Sequence, residues 1–145
     1  MSKFNWLYAA FLSICMLFPF AAQGKAPVLK NTSWTATSEM FVADAGTMTI
    51  THTMVFGPGN KIEIKHVSDL PPYPAMYMNP DGSVDTVPGM HSEWSEEGTF
   101  RFRRGVLTVT LKEGPDQEYL YQASDGTFSR KDPIEGDLVF TRNKE

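Results

Sequence analysis

The segment Thr99–Leu111, TFRFRRGVLTVTL, decides the fold of this chain. Its two phenylalanines alternate with arginines, and this two-residue period directs apolar side chains to one face of a β-strand. An Arg-Gly pair then separates two strand-like runs, as a tight two-residue hairpin turn requires. The register that keeps the large apolar residues on one face pairs Arg103 with Val106, Phe102 with Leu107, Phe100 with Val109 and Gly98 with Leu111. The segment therefore predicts a β-hairpin with one buried face, and its arginines indicate a solvated outer face.

A second predicted hairpin places two histidines opposite each other. Apolar residues alternate with threonines from Thr47 to Phe56, and with charged residues on the strand that follows. A connecting loop with an odd number of residues, or one with a glycine bulge, pairs Phe56 with Ile62 and keeps both apolar sets on one face. The same register sets His52 directly opposite His66 on the inner face.

The rest of the chain after residue 25 is typical of short strands joined by turns. We predict a first strand at Ser33–Ala43, a bulge at Gly98, and an Asp125–Gly126 hairpin that brings Phe128 opposite Ala123. The interval from Asp69 to Met90 contains five prolines and no periodicity, which predicts one long irregular loop. Eight or nine strands without a helix, joined mostly by short turns, predict an all-β, antiparallel, up-and-down barrel.

The first 24 residues have the pattern of a cleaved signal peptide, which leaves one domain at residues 25–145. Lys3 precedes an apolar run from Trp6 to Phe20, and small residues before Gly24 suit cleavage after it. The run has ~15 residues, fewer than the ~20 that a membrane-spanning helix needs. Cys15 partly resembles a lipoprotein signal, but the bulky residue before it and the apolar residues after it argue against a lipid anchor. We therefore expect a secreted or periplasmic protein without a stable membrane span.

Composition narrows the partners and the chemistry. Without Lys3, 12 basic residues face 17 acidic ones, and this net charge of −5 argues against nucleic acids and anionic membranes as partners. Cys15 is the only cysteine, so the mature chain has neither a disulfide nor a thiol nucleophile. The motifs of serine hydrolases, zinc peptidases and phosphate-binding loops are absent, and only a weak carboxylate pair, Asp81 and Asp85, is left as a catalytic candidate. We predict no enzymatic activity and no cofactor.

Three segments resemble the small, secreted, lipocalin-like (calycin-type) β-barrels of bacteria. They are Asn31–Trp34 at the first strand, Gly98–Phe100 before the central hairpin, and Leu138–Arg142 at the last strand. The resemblance implies that Trp34 and Arg142 pack together and close one end of the barrel. It also implies that the open end holds a small, often apolar, ligand. This chain departs from the family pattern at Thr32, where the family usually has a glycine.

Ligand contacts are expected on the long loop and on the strand after it. A barrel of about eight strands has room for side chains or for one small ligand, but not for both. The residues that we expect to contact a small apolar ligand or a partner are Tyr73, Met76, Tyr77, Met78 and Trp94. The alternative is a filled barrel that works through its surface, as an inhibitor of hydrolases or an envelope assembly factor. In that case Trp94 is an anchor for another protein, beside the acidic residues Glu93, Glu96 and Glu97.

The opposed histidines are candidate metal ligands. His52 and His66, with Met54 or the Met90–His91 pair nearby, offer imidazole and thioether groups that suit copper. The alternative is a pair of packed core histidines that are hydrogen-bonded to each other, because no compact ligand spacing is present. Both interpretations remain open at the level of the sequence.

Overall fold

The computed structural model describes residues 25–145 and shows an all-β domain. The predicted signal peptide and Cys15 lie outside these residues. None of the described residues forms a helix with the length and apolarity that are needed to cross a membrane. The strands are β1 (Ser33–Val42), β2 (Gly46–Phe56), β3 (Lys61–Leu70), β4 (Tyr73–Met78), β5 (Val84–Val87), β6 (Met90–Arg103), β7 (Val106–Leu111), β8 (Gln117–Gln122), β9 (Thr127–Asp132) and β10 (Gly136–Arg142).

Eight of these strands close into an antiparallel up-and-down barrel, as predicted. Their order around the barrel is β1-β10-β9-β8-β7-β6-β3-β2, and β4 and β5 form a separate two-stranded sheet. Each barrel strand therefore pairs with two neighbours, and the barrel has no free edge strand over its paired length.

The central hairpin has the predicted register. Gly98 pairs with Leu111, Phe100 with Val109, Phe102 with Leu107 and Arg103 with Val106. Arg104 and Gly105 form the two-residue turn with φ angles of 53° and 78°. Positive φ at both turn positions is typical of the type I′ turn, whose twist matches that of the two strands. Gly98 is not a bulge, because its pairing is regular on both sides. A Cβ atom at this position would lie 2.2 Å from the carbonyl oxygen of Thr110, which excludes any larger residue.

The second hairpin also has the predicted register. Phe56 pairs with Ile62 and His52 with His66, across a three-residue loop that begins at Pro58. The third hairpin differs from its prediction, since Phe128 pairs with Tyr121 instead of Ala123. The backbone amides of Asp125 and Gly126 both donate to the carbonyl oxygen of Gln122, which closes a four-residue loop. The two-residue shift leaves Phe128 on the inner face, where it is fully buried.

The predicted irregular loop at Asp69–Met90 is largely ordered into strands. β3 continues to Leu70 and β6 begins at Met90, and these two residues pair with each other. Between them lies the β4–β5 hairpin, whose turn is closed by hydrogen bonds between the backbones of Asn79 and Ser83 and of Gly82 and Asn79. Prolines lie at the ends of these strands and in the turn, where no backbone N–H is needed for pairing, and they hide the periodicity.

Side chains fill the barrel interior. Met54, Leu107, Val109 and Phe128 have no exposed surface, and aromatic rings pack around them. Trp34 is buried at one end, where its ring meets Phe128 edge-on at 4.9 Å. The interior therefore has the close packing of an ordinary protein core.

The Thr32 hydroxyl links two buried groups at the end of the barrel that contains Trp34. It accepts a hydrogen bond from the indole N–H of Trp34 at 2.9 Å and donates to the carbonyl oxygen of Leu29 at 2.6 Å. Arg142 pairs with Trp34 across β1 and β10, but its side chain is exposed. The cation–π contact found among residues 25–145 joins Arg130 to Tyr119. Packing of Arg142 against Trp34 as the closure of this end stays a prediction, and the contacts found at the indole are those with Phe128 and Thr32.

Candidate functional site

The end of the barrel opposite to Trp34, here called the mouth, has one wall that is longer than the others. β6 pairs with β3 from Met90 onward but with β7 only from Gly98. β1 pairs with β2 as far as Val42, whereas its pairs with β10 are confined to Trp34 and Thr35. The far halves of β1, β2, β3 and β6 thus form a four-stranded wall that continues beyond the closed barrel. On the inner face of this wall, Trp94 is half exposed, whereas the neighbouring residues of β2 and β3 are buried, namely Ile50, His52, Ser68 and Leu70.

Four ionisable side chains form one continuous hydrogen-bonded row across the mouth. His52 Nδ1 and His66 Nδ1 lie 2.8 Å apart. His52 Nε2 lies 2.7 Å from Glu135 Oε2, and His66 Nε2 lies 2.9 Å from Glu96 Oε2. The four residues, called the histidine row below, connect the β9–β10 turn to β2, β3 and β6.

The two ends of the row differ in exposure. The side chain of Glu135 is 14% exposed, whereas that of Glu96 is 40% exposed. Glu135 accepts a second hydrogen bond from the Ser38 hydroxyl, and its backbone N–H donates to Asp132 Oδ1 at 2.9 Å. Glu135 is therefore held on two sides, while Glu96 has a large exposed surface and a single bond within the row.

The number of protons limits the charge state of the row. Each of its three contacts needs one hydrogen, because an ionised carboxylate and an unprotonated ring nitrogen only accept. Two neutral imidazoles carry one N–H hydrogen each. Three hydrogen bonds need three hydrogens, whereas two neutral histidines and two ionised carboxylates supply only two. The row can therefore make all three bonds only when it has bound one extra proton. When that proton leaves, two acceptors face each other at one contact.

Burial is the largest influence on the pKa of His66. Desolvation lowers the pKa of His66 below its ordinary value of 6.5, and repulsion from His52 acts in the same direction. The hydrogen bond to Glu96 and the charges of Glu96 and Glu135 oppose this shift without cancelling it. The imidazolium form of His66 therefore predominates only at a pH below the ordinary pKa of 6.5.

Trp94 covers one side of the row. Its ring stacks on His66 with a centroid distance of 4.9 Å and an interplanar angle of 15°. The residue remains 49% exposed, although large aromatic residues are usually well buried. Trp94 thus presents an aromatic surface to solvent directly beside an ionisable group.

A second polar group lies below the row. The Tyr119 hydroxyl donates to Gln117 Oε1 at 2.7 Å, and Arg130 donates to the same oxygen at 2.9 Å. Burial raises the pKa of Tyr119. Backbone N–H groups of Glu135 and Ile134 lower the pKa of Asp132, which keeps that carboxylate ionised and fixes the turn that carries Glu135.

Two cavities bear on ligand binding. A cleft of about 350 Å³ opens where β6 separates from β7, and it is lined by Ser95, Glu96, Glu97, Leu111, Lys112 and Glu113. A more apolar cavity of about 730 Å³ lies at the end that contains Trp34, with Ala26, Phe102, Leu120 and Tyr121 in its wall. The cleft shares Glu96 with the histidine row, so the mouth combines space with ionisable groups.

The five predicted ligand contacts are divided between two places. Met76, Tyr77 and Met78 are exposed on the separate β4–β5 hairpin, with Tyr73 partly buried at its base. Trp94 lies on β6 at the mouth. The five residues therefore lie on two different sheets, and their contact with a ligand stays a prediction. Asp81 and Asp85, the weak catalytic candidates, accept hydrogen bonds from Ser83 and Asn79 within the hairpin turn.

The opposed histidines meet as the sequence predicted, and they are bonded to each other. Within residues 25–145, no group of three or more histidine, cysteine, aspartate and glutamate side chains is arranged to hold a metal ion. His91 is separately engaged by Asp69 and by Glu93 Oε1 at 3.0 Å. The hydrogen-bonded alternative is the arrangement found, and copper binding stays a prediction. The pattern did not indicate Glu135, which arrives from a turn 83 residues away from His52.

The chain was compared with protein families, with curated proteins and with solved structures. No family model, no curated protein and no solved structure matches the chain. The closed eight-stranded barrel is consistent with the resemblance to lipocalin-like barrels. Fold alone does not assign a function, and the chemistry of the histidine row and Trp94 is the evidence that bears on it.

Proposed function

We propose that this chain is an exported binding protein that holds a small ligand at the mouth of its barrel. The observation that carries the proposal is the histidine row with Trp94 stacked on it. Ionisable groups brought together in a poorly solvated place cost free energy, and proteins usually keep such groups for binding or chemistry. A half-exposed tryptophan beside them supplies an apolar surface for the ligand.

The packing of the interior favours the mouth over the centre of the barrel. Met54, Leu107 and Val109 leave no exposed surface inside, so the small apolar ligand predicted from the resemblance would need to displace core side chains. A ligand at the mouth needs an apolar part for Trp94 and a polar part for Glu96. We therefore propose an amphipathic ligand, and binding without chemical conversion.

Tryptophan fluorescence and native mass spectrometry test this proposal. The mature chain has two tryptophans, of which Trp34 is buried and Trp94 is half exposed. A ligand at the mouth should protect Trp94 from a water-soluble quencher and leave the contribution of Trp34 unchanged. In native spectra, a retained ligand should appear as an excess mass over that of the denatured chain. If a Trp94→Ala variant folds normally and still shows the same excess mass from the ligand, binding at the mouth is contradicted.

A second function is favoured by the β4–β5 hairpin. Met76, Tyr77 and Met78 are all exposed on one short strand outside the barrel. Adjacent exposed apolar side chains often mark a contact with another protein. We propose this hairpin as the contact for an envelope protein if the mouth proves empty. Loss of a cross-linked complex in a variant with Met76, Tyr77 and Met78 changed to serine, with unchanged thermal stability, would support this function.

Export is a separate part of the proposal. The Lys3 charge, the apolar run and the small residues before Gly24 support it. Mass analysis of the protein recovered from the cell exterior or the periplasm should give a chain that begins at or within a few residues of Lys25. Recovery of the full-length chain from the cytoplasm alone would refute export.

A further inference from the structure

We propose that the mouth binds a small organic cation through Glu96 and Trp94, and that protonation of the histidine row expels it. This inference rests on the proposed function, and it adds the chemical class of the ligand and its control by pH. It depends on which contact of the row opens when one proton is missing.

The contact between His66 and Glu96 is the one that opens. For the state with two protons we assign the hydrogens to the two less exposed contacts, so that His52 Nε2–H donates to Glu135 and His66 Nδ1–H donates to His52 Nδ1. His66 Nε2 is then unprotonated and faces the Glu96 carboxylate, which is also an acceptor. Glu96 is 40% exposed and turns into solvent, whereas Glu135, at 14%, is retained by Ser38.

Closing the row requires one proton from solvent and no other change. The proton binds to His66 Nε2, and the new N–H donates to Glu96 Oε2 at the observed 2.9 Å. His66 becomes an imidazolium, and its attraction to the carboxylate replaces the repulsion between two acceptors. No bond to carbon is made or broken. Glu96 is therefore free at neutral pH and occupied by His66 under mildly acidic conditions.

The charges around Glu96 favour a cationic ligand. The cleft beside it carries Glu96, Glu97 and Glu113 against one lysine, and that lysine already donates to Glu97 at 3.2 Å. Trp94 lies on the same face of β6 two residues away, with one face of its ring against His66 and about half of the residue exposed. A carboxylate next to an accessible indole surface is the arrangement that recognises quaternary and other organic ammonium groups.

Other titratable groups face the row from neighbouring strands. Arg130 and Asp132 lie on β9, and Tyr119 on β8 interacts with the charge of Glu96. The pKa of Asp132 is lowered and that of Tyr119 is raised, so neither group changes its charge between mildly acidic and neutral pH. Arg130 remains a cation throughout. His52 is a member of the row itself, so the proton that changes in this range belongs to the row.

The probe that we would use is choline, with its neutral isostere, in which carbon replaces nitrogen, as the control ligand. Calorimetric titration near neutral pH should show choline binding at least about tenfold more tightly than the isostere. The affinity should fall by at least about tenfold when the pH is lowered through the transition at which the His66 imidazolium forms. Glu96→Gln should abolish both the preference for choline and the pH dependence. Glu97→Gln is the matched control, since it removes a carboxylate from the same cleft without touching the row.

Nitrogen NMR of the ligand-free protein separates the proton step from ligand binding. In the wild type, His66 Nε2 should change from unprotonated to protonated as the pH falls through the transition. The contact between His52 Nδ1 and His66 Nδ1 should persist on both sides of the transition. Equal affinity for choline and its isostere would refute the cationic class. Binding of choline without pH dependence would refute the expulsion step. No binding of either probe at any pH, together with a normal His66 titration, would refute the cation site at the mouth and leave only the proton step.

Discussion

The substitution Thr32→Val tests the argument about the closed end of the barrel most directly. Valine has nearly the same shape as threonine, so the packing volume is kept while the hydroxyl is lost. The Thr32 hydroxyl joins two buried groups, the indole N–H of Trp34 at 2.9 Å and the carbonyl oxygen of Leu29 at 2.6 Å. Both residues belong to the hydrophobic core, with Trp34 2% and Leu29 8% exposed.

The size of the effect follows from these two bonds. A buried polar group left without a partner costs about 1–3 kcal/mol, and the indole N–H has no solvent to replace the hydroxyl. The Leu29 carbonyl oxygen also accepts a hydrogen bond from the backbone N–H of Thr32 at 3.0 Å, so it keeps a partner in the variant. Losing the hydroxyl therefore costs less at this carbonyl than at the indole N–H of Trp34. We therefore expect Thr32→Val to lower the free energy of unfolding by about 2 kcal/mol.

Urea unfolding, followed by the fluorescence of Trp34, measures this change. The matched control is Thr37→Val on the exposed outer face of β1, which we expect to change stability by less than about 0.5 kcal/mol. Equal stability of Thr32→Val and the wild type, at an unchanged denaturant dependence, would mean that the hydroxyl does not hold Trp34.

Three further predictions concern the row, the core and the central turn. Burial holds the pKa of His66 below the ordinary value of 6.5, whereas hydrogen bonds to Asp69 and Glu93 raise the pKa of His91 above it. NMR titration should give this order of the two pKa values. The reverse order would contradict the role assigned to burial. Because the pKa of His66 is lower in the folded chain, the unfolded chain binds more protons at this residue. In a His91→Gln variant, which removes the opposite contribution of His91, the free energy of unfolding should be highest above pH 6.5 and should fall as the pH drops toward the folded-state pKa of His66. Phe128→Ala should cost about 3–5 kcal/mol in chemical unfolding, because the ring is fully buried between Trp34 and Tyr121; a loss below ~1 kcal/mol would show a loosely packed interior. Arg104→Asn should raise the melting temperature by a few degrees (~0.5–1 kcal/mol), since asparagine tolerates the positive φ of 53° at this turn position; a lower melting temperature would imply a tertiary role for Arg104.

Local pattern was sufficient for the parts of the molecule in which neighbours in sequence are neighbours in space. Phe100 and Phe102 could face Leu107 and Val109 only in one register, because a slip by one residue turns every side chain to the other face. The opposition of His52 and His66 followed from the same constraint. Pattern was less successful at Asp125–Gly126, where a four-residue loop and a two-residue loop keep the same face and differ only in turn geometry.

The sequence by itself determined an antiparallel barrel of eight or nine strands, its two central registers and the meeting of two histidines on the inner face. These features depend on alternation and on short turns, which are local properties of the chain. Only the tertiary structure decided that Glu135 and Glu96 complete the histidine row and that Trp94 stacks on it. Only the fold, likewise, decided that the Thr32 hydroxyl accepts a hydrogen bond from the indole of Trp34. The physical reason is that barrel closure brings together groups from distant strands, and no periodicity along the chain records which side chains then meet.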